Sequence, residues 1–135
     1  MAERFEDLRA WKTARTLTNE VYTVTKRDPF ENDWALKDQI RRAAISVMSN
    51  VAEGFESRTR ARFIDFLGRA KASAGEVRFQ LVVAWDQDYL GTEECNRLSD
   101  LADKVSRQLY NLIQYLEEGE GADQVRELPA EYVSR

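Results

Sequence analysis

The polar residues best placed to form hydrogen bonds and ion pairs or to bind phosphate lie in one stretch of the chain, from Gln39 to Gly54. Within it Arg42, Ser46, Asn50 and Glu53 follow one another at intervals of four, four and three residues. On a helix this spacing places them along one side, next to the apolar face. We call this row the polar seam, and the sequence allows two interpretations of it.

In the first interpretation the polar seam is structural. Polar residues at helix contacts commonly fix the register of neighbouring helices through hydrogen bonds and ion pairs. We expect Arg42 to pair with Glu76 and Asn50 to pair with Ser73. The predicted members of the seam and their partners are Arg42, Ser46, Asn50, Glu53, Ser73 and Glu76.

In the second interpretation the basic residues of this region hold phosphate groups. The candidate nucleic-acid-binding residues are Arg41, Arg42, Arg58, Arg60, Arg62 and Lys71. The net charge of −4 argues against a general binder of polyanions. However, residues 34–80 carry nine basic and five acidic residues, whereas residues 86–135 carry five basic and twelve acidic ones. A local face for RNA or DNA therefore stays open as a hypothesis.

Groups for catalysis or metal binding are scarce. The chain has no histidine, which removes the commonest general base near neutral pH and the commonest metal ligand. Its single cysteine, Cys95, has no second thiol with which to form a disulfide or a zinc site. We therefore expect no enzymatic activity, no cofactor and no bound metal.

Four amphipathic segments have to position these residues. Apolar residues recur every three to four positions over about Leu8–Lys26, Trp34–Phe55, Thr59–Gln87 and Thr92–Leu116, as in helices that bury one face. The expected capping residues are Asp7, Asn32 or Asp33, and Thr92. Because long helices with short connections pack as antiparallel neighbours, the predicted fold class is an all-α, antiparallel up-down-up-down four-helix bundle.

One part of the third segment is apolar on nearly every side. Residues 79–85 read Phe-Gln-Leu-Val-Val-Ala-Trp. Such a helix has to be covered on all its faces, and a four-helix bundle covers only one of them. The additional face predicts a homo-oligomer, because large exposed apolar patches mark interfaces. The candidate interface residues are Phe79, Val82, Val83 and Trp85.

Three glycines lie within or next to these segments. We expect Gly54 to end the second helix in a left-handed conformation. We expect Gly68 and Gly75 to allow a close approach between helices, since they stand among other small residues.

The periodic apolar pattern ends at Glu118-Gly119-Glu120-Gly121. The sequence therefore predicts one domain over residues 1–118 and a polar, mobile tail over residues 119–135. No run approaches the roughly 18 apolar residues that a membrane span needs, and the first residues lack the apolar core of a signal peptide. We therefore expect a cytoplasmic location and no membrane partner.

The polar seam also carries a family resemblance. Residues 36–54 match, at every fixed position, the signature Leu-x-x-Gln-Ile/Leu-Arg-Arg-Ala-Ala-x-Ser-x-x-x-Asn-Ile/Val-Ala-Glu-Gly. Over about residues 5–116 the chain resembles the bacterial four-helix-bundle proteins encoded by intervening sequences in 23S ribosomal RNA genes, also called S23 ribosomal proteins. Arg69 and Ala72 depart from the usual pattern of the third helix.

The resemblance implies a bundle that assembles into a ring-like homo-oligomer, a pentamer, without enzymatic activity. The wider group is similar to the accessory protein of diversity-generating retroelements, which partners a reverse transcriptase and binds nucleic acid through a basic surface. This chain departs from that pattern because it is acidic overall. Two hypotheses follow: an RNA- or DNA-associated accessory protein, or a protein-interaction scaffold whose acidic fourth helix and tail contact a basic partner protein.

Overall fold

The computed structural model describes residues 2–119 and 128–134 and consists of four long α-helices. The helices are α1 (Arg9–Thr25), α2 (Trp34–Glu56), α3 (Arg60–Asp86) and α4 (Thr92–Glu118). Three short 3₁₀ helices lie outside them, at Phe5–Asp7, Phe30–Asn32 and Ala130–Tyr132. The described ranges contain no β-strand, only one isolated bridge between Leu8 and Val133. The all-α prediction is confirmed.

One apolar stripe from each helix forms the shared core. In α3 the predicted stripe begins at Phe63 and Leu67 and continues to Ala84, and its residues are fully buried. Each helix contacts two others, so that α1 and α3 each lie between α2 and α4. Helix formation here depends on this burial more than on local preference, because most of the stability of a helix in a protein comes from packing of its apolar face.

The helix starts were predicted with mixed success. Asp33 caps α2 as expected, since its Oδ1 accepts the N–H of Leu36 at 3.1 Å. Asp7 does not cap α1, because its carboxylate accepts the N–H groups of Glu3 and Arg4 instead, at 3.0 and 3.3 Å. Thr92 is the first residue of α4 and its side chain makes no capping hydrogen bond.

Asp33 also connects the start of α2 to the loop between α3 and α4. Its Oδ2 accepts the hydroxyl of Tyr89 at 2.8 Å, which raises the pKa of that hydroxyl above its ordinary value. The ring of Tyr89 stacks on buried Phe30, with the ring centroids 4.9 Å apart. One carboxylate therefore holds two separate parts of the chain.

Gly54 has a role different from the predicted C-cap. The helix continues past it to Glu56, and α3 passes so close that a Cβ atom on residue 54 would stand 2.9 Å from Phe63 Cδ1 and from Phe66 Cβ. Real Cβ atoms essentially never approach other heavy atoms so closely. The position requires glycine for space at the α2–α3 contact, and not for a left-handed turn.

Ion pairs join α4 to its two neighbours. Both Nη atoms of Arg27, just after α1, donate to the carboxylate of Glu94 at 2.7 and 2.8 Å. This paired hydrogen bonding holds the pKa of the Glu94 carboxyl below its ordinary value. On the other side of α4, Arg78 Nε lies 3.0 Å from Asp103 Oδ1.

Part of the predicted tail packs against the bundle. Leu128 and Val133 are buried, and Val133 forms the bridge with Leu8. The N–H of Ser134 donates to the carbonyl of Asp7 at 2.7 Å. Residues 128–134, which the sequence placed in a mobile tail, therefore contact the bundle through buried Leu128 and Val133. Residues 120–127, also expected in the tail, lie outside the described residues.

Candidate functional site

The polar seam forms a hydrogen-bonded chain between α2 and α3. Ser46 Oγ lies 2.8 Å from Ser73 Oγ. Asn50 Nδ2 donates to Ser46 Oγ at 3.0 Å and to the Ser46 carbonyl at 2.9 Å. The predicted Asn50–Ser73 pair is thus corrected: the amide reaches Ser73 only through the Ser46 hydroxyl.

Arg42 does not make the predicted pair with Glu76. Its Nε lies 2.8 Å from Asp38 Oδ2, one turn earlier on the same helix, and its side chain is 78% exposed. Asp38 is preferred over Glu76 because a carboxylate four residues away on the same helix is a direct neighbour of the arginine, whereas Glu76 lies across the α2–α3 groove. Glu53 and Glu76 are exposed, so the carboxylates of the predicted seam face solvent and not the helix contact.

Arg41 lies on the opposite side of α2, against α1. Its Nε donates to Thr25 Oγ1 at 2.8 Å, and its guanidinium carbon lies 4.4 Å from the centre of the Tyr22 ring. A hydrogen bond and a cation–π contact occupy this group. Arg41 is therefore a structural residue and is separated from the other candidate phosphate contacts.

Of the remaining basic candidates, Arg58, Arg60 and Arg62 lie at or just before the start of α3, and Lys71 lies about three turns further along it. Arg60 Nη1 donates to the carbonyl of Gly119 at 2.6 Å, which places a cation at the carboxyl end of α4, where the helix dipole favours it. Arg58 and Arg62 are exposed, and Lys71 is half-buried. The predicted patch is thus reduced, because two of its arginines serve helix contacts.

A cleft opens between α2 and α3 beside the polar seam. Its volume is about 340 Å³, and it is lined by Gln39, Arg42, Ala43, Ser46, Ser73, Glu76 and Gln80. Gln80 is only 2% exposed, and its Oε1 has no hydrogen-bond partner within the described part of the chain. Glutamine at this position was not singled out from the sequence, because it stands inside an apolar run.

The outer face of α3 carries the predicted apolar residues. Phe79 is 56% exposed and Val82 is 49% exposed, with Val83 and Trp85 close to these values. Trp85 Nε1 donates to Thr92 Oγ1 at 3.3 Å, at the start of α4. Gly68 and Gly75 have open space where a Cβ atom would stand. They do not bring helices of this subunit together, contrary to expectation.

With the helices and the seam placed, comparison with known proteins is informative. The family model of the 23S rRNA-intervening sequence protein matches residues 6–111. The chain belongs to this family. A solved structure supports the fold: a protein of unknown function from the S23 ribosomal protein family of Bacteroides thetaiotaomicron aligns with a TM-score of 0.72 and 18% identity, over 78% of this chain and 98% of that one. No curated protein matches the chain.

In this member of the 23S rRNA-intervening sequence protein family, the signature stretch spans most of α2. Its residues lie on two sides of the helix and make different contacts on each side. Ile40, Val47 and Val51 enter the core, while Ser46 and Asn50 form the seam toward α3. The signature therefore encodes the two contacts that α2 makes with its neighbours.

Three exposed aromatic residues of this family member were missed from the sequence: Trp34, Tyr110 and Tyr115, the last of which is 37% exposed. Trp34, the first residue of α2, is 73% exposed, and its ring is covered on one side by the Lys37 ammonium, 3.8 Å from the ring centre. Tyr110 on α4 is 51% exposed. Trp34 and Tyr110 stand outside the apolar repeats of their helices, since Trp34 precedes the repeat that begins at Leu36 and Tyr110 directly follows buried Leu109. The repeats therefore indicate exposed positions for them but no role.

This family member shows neither a metal-ligand cluster nor a membrane-spanning helix in the residues that the structure describes. Across residues 2–119 and 128–134, no three acidic, cysteine or histidine side chains group as metal ligands would. In the same ranges no helix is long and apolar enough to cross a membrane.

Proposed function

We propose that this protein is a non-enzymatic interaction protein that associates with further copies of itself through the outer face of α3. The observation that carries the proposal is the exposure of Phe79 and Val82, each about half accessible. Large apolar side chains in a continuous exposed row mark a protein contact surface, whereas isolated ones do not. The absence of histidine from the whole sequence supports a role without catalysis.

The shape of this face favours a second copy as its occupant. Gly68, Ala72, Gly75, Phe79 and Val82 follow one another at alternating intervals of four and three residues, so they lie along one side of α3. The first three are small and allow a close approach of another helix, while the last two protrude. The ring-like pentamer implied by the family resemblance requires this face to contact a different surface of the next copy.

The proposal includes the antiparallel order of the helices. Gly54 near the end of α2 lies against Phe63 near the start of α3. Gln39 near the start of α2 lines the cleft together with Gln80 near the end of α3. These two contacts support opposite directions for α2 and α3, and short connections favour the same for the other pairs.

Light scattering on a size-exclusion column tests the assembly. We expect a mass near five times the 15.6 kDa of the chain, and we expect Val82→Glu to reduce it. Tyr110→Glu is a comparison variant, because Tyr110 is about as exposed as Val82 but lies on α4, and its effect tells whether α4 forms the complementary surface. A monomeric wild-type protein, or a Val82→Glu protein of unchanged mass, would contradict the proposal.

Nucleic-acid binding is the second candidate function, and one observation favours it. Arg58 and Arg62 are exposed at the α2–α3 turn, and within the described ranges neither makes an ion pair. In an assembly of several copies this pair would be repeated, and repeated weak contacts add avidity.

Binding of a single-stranded RNA should then weaken steeply with salt. The double variant Arg58→Ala with Arg62→Ala should lose affinity, while Lys104→Ala with Arg107→Ala on α4 should not. If the affinity for RNA does not change with salt, or if both double variants reduce it equally, nucleic-acid binding is rejected. The proposed function is then that of a protein-interaction scaffold alone.

A further inference from the structure

The cleft between α2 and α3 contains a buried acceptor that the fold does not use. Gln80 is 2% exposed, and its Oε1 has no hydrogen-bond partner in the described residues. Leaving a buried amide oxygen without a donor costs free energy, so such atoms are rare and call for an explanation. The cleft that Gln80 lines gives a donor from outside the subunit a route to this wall.

A carboxylate lies on the same wall of the cleft. Glu76 precedes Gln80 by four residues, which places both on one side of α3. Glu76 is exposed and makes no ion pair within the described ranges. Arg42 also lines the cleft, but Asp38 holds its guanidinium. Arg42 and Glu76 therefore make no ion pair across the cleft.

Two hydroxyl groups complete the set of acceptors. Ser46 Oγ and Ser73 Oγ are hydrogen-bonded to each other, and the Asn50 side-chain amide donates to Ser46 Oγ. A hydroxyl oxygen has two lone pairs, so Ser73 keeps capacity to accept a further hydrogen bond. A carboxylate, an amide oxygen and a hydroxyl together match a cationic group that carries several N–H donors.

We propose that this cleft binds a guanidinium or alkylammonium group, with Glu76 as its charge partner and Gln80 Oε1 as a hydrogen-bond acceptor. A volume of about 340 Å³ admits such a group with a short alkyl chain. The group can come from an arginine or lysine side chain of a neighbouring copy or from a free small amine. The first source rests on the proposed self-association, and the second does not.

The test is a titration of the full-length protein with ethylguanidinium, followed by NMR at the Gln80 side-chain amide. We expect saturable shifts at Gln80 and Ser73. Glu76→Gln should weaken binding by about tenfold or more, because a hydrogen bond to a charged group is lost. Glu53→Gln is the control variant, since Glu53 belongs to the predicted seam but does not line the cleft. Urea at the same concentration is the neutral control ligand.

Light scattering of the same variants identifies the source of the group. If Glu76→Gln lowers the assembly mass and Glu53→Gln does not, a side chain of a neighbouring copy occupies the cleft, whether or not the free probe binds. If ethylguanidinium binds and the mass is unchanged, the ligand is a free small molecule. The proposal is overturned if the probe gives no saturable shift and Glu76→Gln leaves the mass unchanged, or if urea binds equally well. A chain that proves monomeric but binds the probe would reject self-association and keep the site.

Discussion

Ser46 Oγ and Ser73 Oγ lie 2.8 Å apart and join α2 to α3 in the middle of their contact. Ser73 is buried, and the Asn50 amide extends the chain on the α2 side. The pair therefore fixes how the two helices lie against each other.

Removing one hydroxyl of this pair should destabilise the fold moderately. We expect Ser73→Ala to lower the free energy of unfolding by about 1 kcal/mol, because the Ser46 hydroxyl loses its partner across the helix contact. Urea denaturation measures this change. Ser49→Ala is the control, because Ser49 is exposed and its hydroxyl donates to the Ser46 carbonyl within α2. An equal loss of stability in both variants would show that the hydrogen bond between the two helices makes no contribution of its own.

Two glycine-to-alanine substitutions should act in opposite directions. Gly54→Ala places a Cβ atom 2.9 Å from Phe66 Cβ, so we expect a loss of about 1–3 kcal/mol from overpacking. Gly68→Ala meets open space within 4 Å and should gain about 0.5–1 kcal/mol from helix propensity. Thermal unfolding at low protein concentration compares them, and a stabilising Gly54→Ala would reject the close approach of α2 and α3.

Adjacent arginines should differ in their effect on stability. Arg41→Ala removes a hydrogen bond to Thr25 and a contact with the Tyr22 ring, so we expect a loss of about 1–2 kcal/mol. Arg42→Ala removes only an exposed pair with Asp38 and should change stability by less than about 0.5 kcal/mol. Chemical denaturation of both variants checks this order, and a reversed order would restore the predicted role of Arg42 as a buried structural partner.

The pair of Arg27 and Glu94 should make stability depend on pH in the acid range. The guanidinium hydrogen bonds hold the folded-state pKa of Glu94 below its ordinary value of 4.5. The resulting stability is present above pH 4.5 and is lost as the pH falls through the lowered value. Because the pair is partly exposed, its contribution is at most about 1 kcal/mol.

Glu94→Gln should therefore be less stable than the wild type at neutral pH and approach it as the pH falls below the lowered pKa of Glu94. Denaturation curves across the acid range measure the difference, with Glu93→Gln as the neighbouring control. A difference that stays constant down to low pH would exclude the ionised carboxylate as its cause.

Much of the fold could be predicted because local and long-range signals agree. The apolar repeat of α3 placed its core face correctly, and the expected cap at Asp33 lies where the repeat of α2 begins. The extra apolar residues of the same helix were placed on an exposed face, as the sequence indicated. The pattern of apolar and polar residues shows directly which face of a helix is buried, and it does so without knowledge of the neighbouring helix.

The partners of polar side chains could not be predicted as well. Arg42 had carboxylates within reach on its own helix and on the next, and spacing alone does not decide between them. Gly54 shows the same limit, because a close approach depends on where α3 passes. Packing of Leu128 and Val133 onto the bundle depends on the position of α1, which no local pattern encodes.

Asp33 shares its two carboxylate oxygens between the N–H of Leu36 and the hydroxyl of Tyr89. The first turn of α2 and the α3–α4 loop therefore depend on the same anchor and should open together as one cooperative unit. Amide hydrogen exchange would register this as matched protection of Leu36 and residue 89, whose N–H donates to the Ala84 carbonyl at 2.9 Å. In Tyr89→Phe, exchange at both amides should accelerate together, although the two residues lie far apart in sequence.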